Sequence, residues 1–331
     1  MHISRKFTHA LLALAALVIT SQMAFAADPG LVYPADSELS DQKAGSVLVY
    51  NIYTSSIATP NTQNTRINIT NSNQNSAAFV HLFFVDGATC GVADSLICLT
   101  ANQTMSFYAA DFDPGVTGYI VAVATNGVTG CPINFNFLIG SEYVKFASGH
   151  EARLNAEAIA AVAATPAACD ANTVAATLAF DGVSYNRLPR VLAVDSIPDR
   201  ASGNDTLLIV NRIGGSLLTS AAAIGPVFGL LFDELERPAS FNFNASVCQF
   251  RSSLSNNFPR TTPRFETIIP AGASGWMKFW GTSDVGIVGS VINFNPNRGT
   301  SAQAFNGGSN LHKLTLSAAG TLTIPIFPPS C

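Results

Sequence analysis

The stretch Tyr119-Ile-Val-Ala-Val-Ala124 is an apolar run that stops just before the turn-forming pair Asn126-Gly127. Short runs of this kind, rich in Val, Ile, Phe and Thr and separated by turn residues, recur along the chain and are typical of strands in sandwiches and barrels. The predicted strands are residues 46–53, 66–70, 79–85, 105–109, 119–124, 133–139, 206–211, 227–232, 240–243, 266–269, 276–280, 285–294, 311–316 and 321–326. The sequence therefore predicts an all-β protein.

One segment between the two groups of strands has a different composition. Residues 151–164 are rich in alanine with apolar residues near helical spacing, and the preceding Ser-Gly-His-Glu motif matches a capping box at a helix start. We therefore expect two β-sandwich-like domains, residues 27–150 and 181–331. A short Ala-rich helix and a linker over residues 151–180 are expected to join them.

The two groups of strands have similar motifs in a similar order, which fits either a distant internal duplication or two independent sandwich domains. Both readings stay open, because the spacing between the motifs matches only roughly. The matching pairs are residues 81–86 with 229–233, 117–120 with 274–277, and 132–136 with 291–295.

The start of the chain has the pattern of a cleavable signal peptide. Arg5 and Lys6 precede an apolar run over residues 10–19, and Ala24-Phe-Ala26 is a small-x-small cleavage pattern. The apolar run is too short to cross a bilayer as a helix, which takes about 20 residues. We expect residues 1–26 to be removed and the protein to be exported to the periplasm, the cell surface or the medium. No integral membrane segment is expected after cleavage.

Charge and composition restrict the partners. Removing residues 1–26 takes away two basic residues and no acidic one, so the net charge goes from −4 to −6. Nucleic acid is therefore an unexpected partner. Asn alternates with Phe in residues 133–137, 241–244 and 292–295, which predicts uncharged polar sheet faces. Such faces tolerate contact with other sheets, so the expected partners are other copies of the chain or surface glycans.

All six cysteines lie after the cleavage site, which favours disulfides in an exported protein. We expect Cys90 to pair with Cys98 across a short loop, and Cys248 to pair with the C-terminal Cys331. That choice leaves Cys131 and Cys169 as the third pair. The alternative is that one of the three pairs stays reduced. The six residues are Cys90, Cys98, Cys131, Cys169, Cys248 and Cys331.

Two patterns are candidate binding sites. Trp276 and Trp280 share one face of a predicted strand with Lys278 between them, which suits either stacking against a sugar or packing into a sandwich core. Asp111 and Asp113 precede a Pro-Gly turn and are weak candidates for a pair of calcium ligands, and an ordinary Asp-Pro-Gly turn is the favoured explanation. We expect no cofactor.

The residues needed for catalysis are scarce. The chain after residue 26 has three histidines, and no Gly-x-Ser-x-Gly nucleophile motif occurs. His81 lies on a predicted strand among apolar residues, where a hydrogen-bonded core histidine is expected. A pair of carboxylates for glycoside hydrolysis is not excluded by a sequence, because the two acids come from distant strands. We assign no catalytic residue.

Several stretches resemble a family of uncharacterised exported bacterial proteins. They are Phe83-Phe-Val-Asp-Gly-Ala-Thr-Cys90, Tyr143-Val-Lys-Phe-Ala-Ser-Gly-His150, Ala304-Phe-Asn-Gly-Gly-Ser-Asn-Leu-His-Lys313 and Pro325-Ile-Phe-Pro-Pro-Ser-Cys331. The resemblance implies export for nearly the whole mature chain and implies no activity. Together these features predict a non-catalytic structural or adhesive protein of the cell surface or extracellular space. The alternative is a carbohydrate-binding protein or a secreted glycoside hydrolase.

Overall fold

The computed structural model describes residues 38–318 and 320–330, so the predicted signal peptide and Cys331 lie outside the described residues. Within the described residues the regular structure is 22 strands, one short α-helix and one 3-10 helix. The all-β prediction is therefore confirmed. The strands are β1 (Val47–Thr54), β2 (Asn64–Asn71), β3 (Ala78–Asp86), β4 (Val92–Leu99), β5 (Thr104–Tyr108), β6 (Thr117–Thr125), β7 (Leu138–Lys145), β8 (Glu151–Asn155), β9 (Glu157–Ile159), β10 (Ala175–Ala179), β11 (Pro189–Pro198), β12 (Asp205–Arg212), β13 (Gly215–Ser216), β14 (Ser220–Ala221), β15 (Gly225–Phe232), β16 (Pro238–Ala245), β17 (Gln249–Ser253), β18 (Ser274–Gly281), β19 (Ile287–Phe294), β20 (Gly307–Asn310), β21 (His312–Leu316) and β22 (Thr321–Pro325). The 3-10 helix is Ala109–Asp111 and the α-helix, α1, is Phe265–Ile268.

The strands form five small sheets. Sheet I has the order β4-β3-β6-β1-β9, and sheet II has the order β5-β2-β7-β8. Sheet III has the order β16-β15-β18-β11-β21, and sheet IV has the order β17-β12-β19-β20. Sheet V, in the order β10-β22-β13-β14, combines strands from different parts of the chain. Strand pairs are antiparallel except for β13 with β22, which are parallel.

The two halves of the chain repeat one topology. If β1 to β9 are matched in chain order with β11, β12 and β15 to β21, the strand order of sheet I becomes that of sheet III, and the order of sheet II becomes that of sheet IV. A β-bulge occurs at the same place in both halves, between Tyr50 and Tyr53 in β1 and between Val194 and Ile197 in β11. The internal repeat expected from the motifs is thus present in the topology.

Two of the three motif pairs occupy equivalent positions. Residues 117–120 and 274–277 begin β6 and β18, and Gly118 and Gly275 lie opposite the two bulges. A Cβ atom at either glycine would collide with the carbonyl oxygen of the neighbouring strand, so both positions require glycine. The third pair is wrong, because residues 291–294 of the second motif belong to β19 whereas residues 132–136 precede the equivalent strand β7.

The prediction of two separate sandwich domains is also wrong. Sheets I and II enclose one hydrophobic cluster, and sheets III and IV enclose another. A third cluster joins sheet V to sheets I and IV, and a fourth joins sheet IV to β1, β7 and β8. The five sheets lie in a ring, and the third and fourth clusters each contain residues of both halves. Shared clusters of this kind tie the halves into one packed body.

The predicted Ala-rich helix is absent, because residues 151–164 contain the strands β8 and β9. Ala152, Leu154 and Ala156 are buried while Arg153 and Asn155 are exposed, which is the alternation of a strand. The alanines serve close packing, since Gly308 of β20 approaches the side chain of Ala152. Pairing of β8 with β7 and of β9 with β1 overrides the helical propensity of alanine.

Two predicted strands are wrong for local reasons. Residues 133–137 form an irregular segment in which Ser46 Oγ accepts the amide proton of Phe135, and β7 starts only at Leu138. Residues 266–269 fall mostly in α1, which follows a Pro263-Arg264 pair. The strand β11 was not predicted because it begins and ends with proline, a residue that usually marks a strand boundary.

Candidate binding surfaces

The described cystines differ from two of the predicted pairs. Cys90 pairs with Cys248, with Cα atoms 5.6 Å apart, so the predicted bridges from Cys90 to Cys98 and from Cys248 to Cys331 are wrong. Cys131 pairs with Cys169 as expected, with Cα atoms 5.7 Å apart, and Cys98 is also disulfide-bonded. Disulfides persist in oxidising compartments, so these bonds fit a protein that works outside the cytoplasm.

Asp111 and Asp113 each have a structural task. Asp111 Oδ2 accepts the backbone amide proton of Tyr108 at the start of the 3-10 helix, at 3.0 Å. Asp113 Oδ2 accepts the hydroxyl proton of Tyr53, at 2.5 Å. Among the described residues, no group of three or more His, Cys, Asp and Glu side chains is placed to hold a metal ion.

His81 is a core residue, as predicted. Its ring is 1% exposed and packs on Phe83, and its Nε2 lies 2.7 Å from Asp94 Oδ2. Burial lowers the pKa of the His81 imidazole, and the hydrogen bond and charge of Asp94 oppose that effect. The histidine thus joins β3 to its neighbour β4 and has no open side for a ligand.

Both candidate tryptophans lie on the outer face of sheet III. Met277 and Phe279 of β18 point into the cluster between sheets III and IV, so the alternate residues Trp276, Lys278 and Trp280 point away from it. The packing of the tryptophans into that core, which was the other interpretation, is therefore wrong. We define the aromatic face as Phe228, Leu230, Phe232, Trp276, Lys278 and Trp280.

The same face of the other half is covered. The repeat matches Trp276, Lys278 and Trp280 with Tyr119, Val121 and Val123 of sheet I, through equivalent pairs with β3 and β15. Those three residues are at most 1% exposed, because sheet V packs on them. Most side chains of the aromatic face are only half-buried, and none belongs to a shared cluster.

The rings of the aromatic face stack mainly on one another. Trp276 and Phe232 lie parallel, with ring centroids 4.3 Å apart and an angle of 5° between their planes. Trp280 packs beside Phe228 with centroids 5.3 Å apart and is 8% exposed. Stacking of a sugar requires a free ring face, and the parallel contact with Phe232 occupies one face of Trp276. Sugar stacking by Trp276 and Trp280 stays a prediction, and the contacts with neighbouring rings leave less ring surface for a sugar than the sequence suggested.

A second open surface lies on the outer face of sheet II. Ile67 and Ile69 of β2 point into the cluster below, whereas the alternate residues Arg66 and Asn68 line a groove of about 830 Å³. We define the basic groove by Lys43, Arg66, Tyr143 and Arg153, which line it from four separate segments. The full lining is Asp41, Gln42, Lys43, Arg66, Asn68, Thr70, Thr104, Ser106, Ile139, Gly140, Ser141, Tyr143, Arg153, Asn155 and Ala156.

Hydrogen bonds between strands hold the floor of the basic groove. Arg66 Nη2 donates to Ser106 Oγ at 3.4 Å, and Ser106 Oγ donates to Asn68 Oδ1 at 2.7 Å. Asn68 Nδ2 donates in turn to Ser141 Oγ at 3.3 Å. Cross-strand polar pairs of this kind orient side chains on an exposed sheet. The floor is therefore an ordered row of hydroxyl and amide groups.

The charge of the basic groove is positive in a protein whose net charge is negative. Across the part of the chain that the structure describes, no carboxylate forms an ion pair with Lys43, Arg66 or Arg153. Asp41 lies in the lining, but its Oδ2 accepts a proton from Asn310 Nδ2 at 3.2 Å. The sequence alone did not reveal this site, because strand pairing assembles it from residues up to about 110 positions apart.

Polar side chains are also buried where the halves meet. Asn51 and Asn211 are fully buried, and Asn211 Nδ2 donates to the carbonyl oxygen of Asn51 at 2.8 Å. Gln249 Nε2 donates to Asn211 Oδ1 at 2.8 Å. Buried amides that are hydrogen-bonded in this way specify one arrangement of the surfaces that they join.

Glu142 is a buried carboxyl beside this region. Its Oε1 accepts the backbone amide proton of Ile52 at 3.3 Å, and its side chain is fully buried. Burial raises the pKa of the Glu142 carboxyl well above its ordinary value, and the backbone hydrogen bonds only partly oppose this. Glu142 does not line the basic groove, which argues against a catalytic role in that groove.

We expect Glu142→Gln to reduce the loss of stability that the protein shows as the pH rises. The folded protein holds the Glu142 proton at pH values where the unfolded chain has released it, so the carboxyl stabilises the fold at low pH and this contribution is lost above the unfolded pKa. One such proton is worth up to about 1.4 kcal/mol per pH unit. Urea unfolding at pH 4 and pH 8 measures the difference. The same pH dependence of stability in wild type and Glu142→Gln would contradict the prediction. Glu266→Gln is the control, because Glu266 is exposed.

No family model matches the chain, and no curated protein or solved structure matches it. The resemblance to exported bacterial proteins therefore stays a prediction. Among the described residues, no helix is both long and apolar enough to cross a bilayer.

Proposed function

We propose that this chain is an exported, non-catalytic protein of the cell surface or extracellular space with a structural or adhesive role, and that it assembles with other copies through the aromatic face. The observation that supports the proposal is the difference between the two halves. The chain covers the outer face of sheet I with its own strands in sheet V, whereas the equivalent face of sheet III has no cover among the described residues.

A second copy is the favoured occupant because this fold already packs a strand layer from its own chain on that face. The whole outer face of sheet III, with five strands spaced about 4.8 Å apart and about five residues in each, has an area of roughly 400 Å², and the aromatic face is its central part. That area is about half of what one partner buries in a standard interface. The self-association through one such face is therefore expected to be weak and concentration-dependent, which suits repeated contacts in a surface layer.

The test is the molar mass of residues 27–331 in the oxidised state, measured by light scattering across a range of concentrations. We expect the wild-type mass to rise with concentration, and Leu230→Lys to keep the protein monomeric. Leu230 lies between Phe228 and Phe232 on the same side of β15, so the variant places in the middle of the face a charge that a second copy would have to desolvate. Ile139→Lys is the matched control, because Ile139 is an exposed apolar residue, 44% accessible, on sheet II.

A wild-type protein that stays monomeric at about 100 μM, a concentration at which weak contacts populate dimers, would contradict assembly through this face. Equal association of wild type and Leu230→Lys would contradict the choice of surface. Thermal unfolding of each variant checks that the folded state is intact.

A further inference from the structure

We propose that the basic groove binds a polysaccharide that carries carboxylate groups, such as a polyuronate chain. This site is separate from the aromatic face and does not depend on the self-association proposed above. The proposal is based on the shape of the groove, the chemistry of its lining and the comparison of equivalent positions in the two halves.

The shape favours a long ligand over a small molecule. The groove of about 830 Å³ lies next to a cavity of about 400 Å³, since Tyr143 and Arg153 line both. Arg298 of the other half lines the second cavity and lies 3.5 Å from Glu151 Oε1. The two neighbouring cavities together extend from Lys43 across sheet II to Arg298 in the other half of the chain.

The chemistry favours carboxylates and hydroxyls. A guanidinium group binds a carboxylate through two parallel hydrogen bonds, and Arg66 and Arg153 are exposed and form no ion pair with a described residue. The row of Ser106, Asn68 and Ser141 offers donors and acceptors that suit sugar hydroxyls. Tyr143 is 39% exposed and adds an aromatic surface beside the arginines.

Tyr143 is held in place by its own hydrogen bond. Its hydroxyl donates to Glu151 Oε2 at 3.0 Å. Burial and the Glu151 carboxylate both raise the pKa of the Tyr143 phenol, so the hydroxyl remains a proton donor at neutral pH. The ring therefore has one orientation at the junction of the two cavities.

The internal repeat shows that the fold itself does not require these residues. The pair of Arg66 with Tyr143 in sheet II corresponds to the pair of Leu207 with Ile292 in sheet IV. In sheet IV this face packs against the first half and is apolar. A solvent-exposed sheet face needs polar residues, and uncharged ones are sufficient. Cations without ion-pair partners in an acidic protein therefore indicate an anionic ligand.

The test is calorimetric titration of the oxidised protein with oligogalacturonate at about 150 mM salt, where nonspecific charge attraction is screened. We expect Arg66→Gln/Arg153→Gln to weaken binding by roughly a hundredfold, about tenfold for each lost guanidinium contact. Both positions are exposed, so the fold should persist. Arg260→Gln is the matched control, because Arg260 is exposed and lines neither cavity, and its binding should stay within about twofold of wild type.

Three results would overturn the proposal. They are the absence of oligogalacturonate binding by wild type, unchanged binding by the double variant, and equally tight binding of neutral dextran oligomers or single-stranded DNA. The Leu230→Lys variant separates the two proposals, since its groove is intact. It should bind oligogalacturonate like wild type whether or not the wild-type protein self-associates.

Discussion

Replacing Cys90 and Cys248 together by alanine is expected to lower the free energy of unfolding by about 5 kcal/mol. The bond joins residues 158 positions apart, and a loop of that length loses much of its entropy in the unfolded chain when it is closed. Both cysteines belong to the cluster that sheet V shares with sheets I and IV. The bond therefore restricts the unfolded chain and also joins the two halves directly.

Denaturant unfolding of the double alanine variant measures this effect. The matched control is Cys131→Ala/Cys169→Ala, whose separation of 38 residues predicts a smaller loss, about 4 kcal/mol in the same treatment. If the halves uncouple, the variant without Cys90 and Cys248 should unfold in two steps while the control unfolds in one. A smaller loss for the Cys90 and Cys248 variant than for the control would contradict the prediction.

Lys313→Met is expected to destabilise the protein by about 3 to 5 kcal/mol at pH 8. Glu157 is 1% exposed, and its Oε2 lies 2.9 Å from Lys313 Nζ, so in the variant the buried carboxyl either keeps its charge without the cation or takes up a proton at a free-energy cost. Glu157 lies in β9 and Lys313 in β21, the edge strands of sheets I and III. The ion pair therefore links equivalent strands of the two halves.

The effect of Lys313→Met should depend on pH. Burial raises the pKa of Glu157 to about 7, while the charge and hydrogen bond of Lys313 oppose that increase. Below pH 7 the folded carboxyl is mostly neutral and has less need of the lysine, so the loss should be smaller at pH 5 than at pH 8.

Urea unfolding at pH 5 and pH 8 tests the pair. The variant Lys313→Met/Glu157→Gln should recover most of the lost stability at pH 8, because no buried charge remains. Lys145→Met is the control, since Lys145 only donates to the carbonyl oxygen of Asn61 at the surface. An equal loss at both pH values would show that Lys313 acts through packing and not through charge.

The strands that a sequence reveals are those with turn residues at both ends and a continuous apolar or alternating run between them. β1, β6 and β18 meet this description, and each was predicted to within two residues at either end. β8 and β9 were missed, because alanine has a high helical propensity and only the contact with β20 explains its use in a strand. β11 was missed because of its terminal prolines.

The basic groove was outside the reach of a sequence reading. Lys43, Arg66 and Arg153 are single basic residues far apart in the chain, and none lies in a recognisable motif. The orientation of Arg66 follows from its alternation with Ile67 and Ile69, but the sequence does not say which sheet face remains open. Sheet IV has an apolar face at the equivalent positions only because the first half covers it.

By itself, the sequence determined the all-β class, most strands of both halves and two of the three repeated motif pairs, because alternation and turn residues act over short distances. The tertiary structure alone decided that Cys90 pairs with Cys248 and that β10 and β22 join in sheet V. It also decided which faces stay open. These outcomes depend on contacts between residues more than a hundred positions apart. At such separations the entropic cost of closing a loop hardly changes with its length, so specific packing selects the partner.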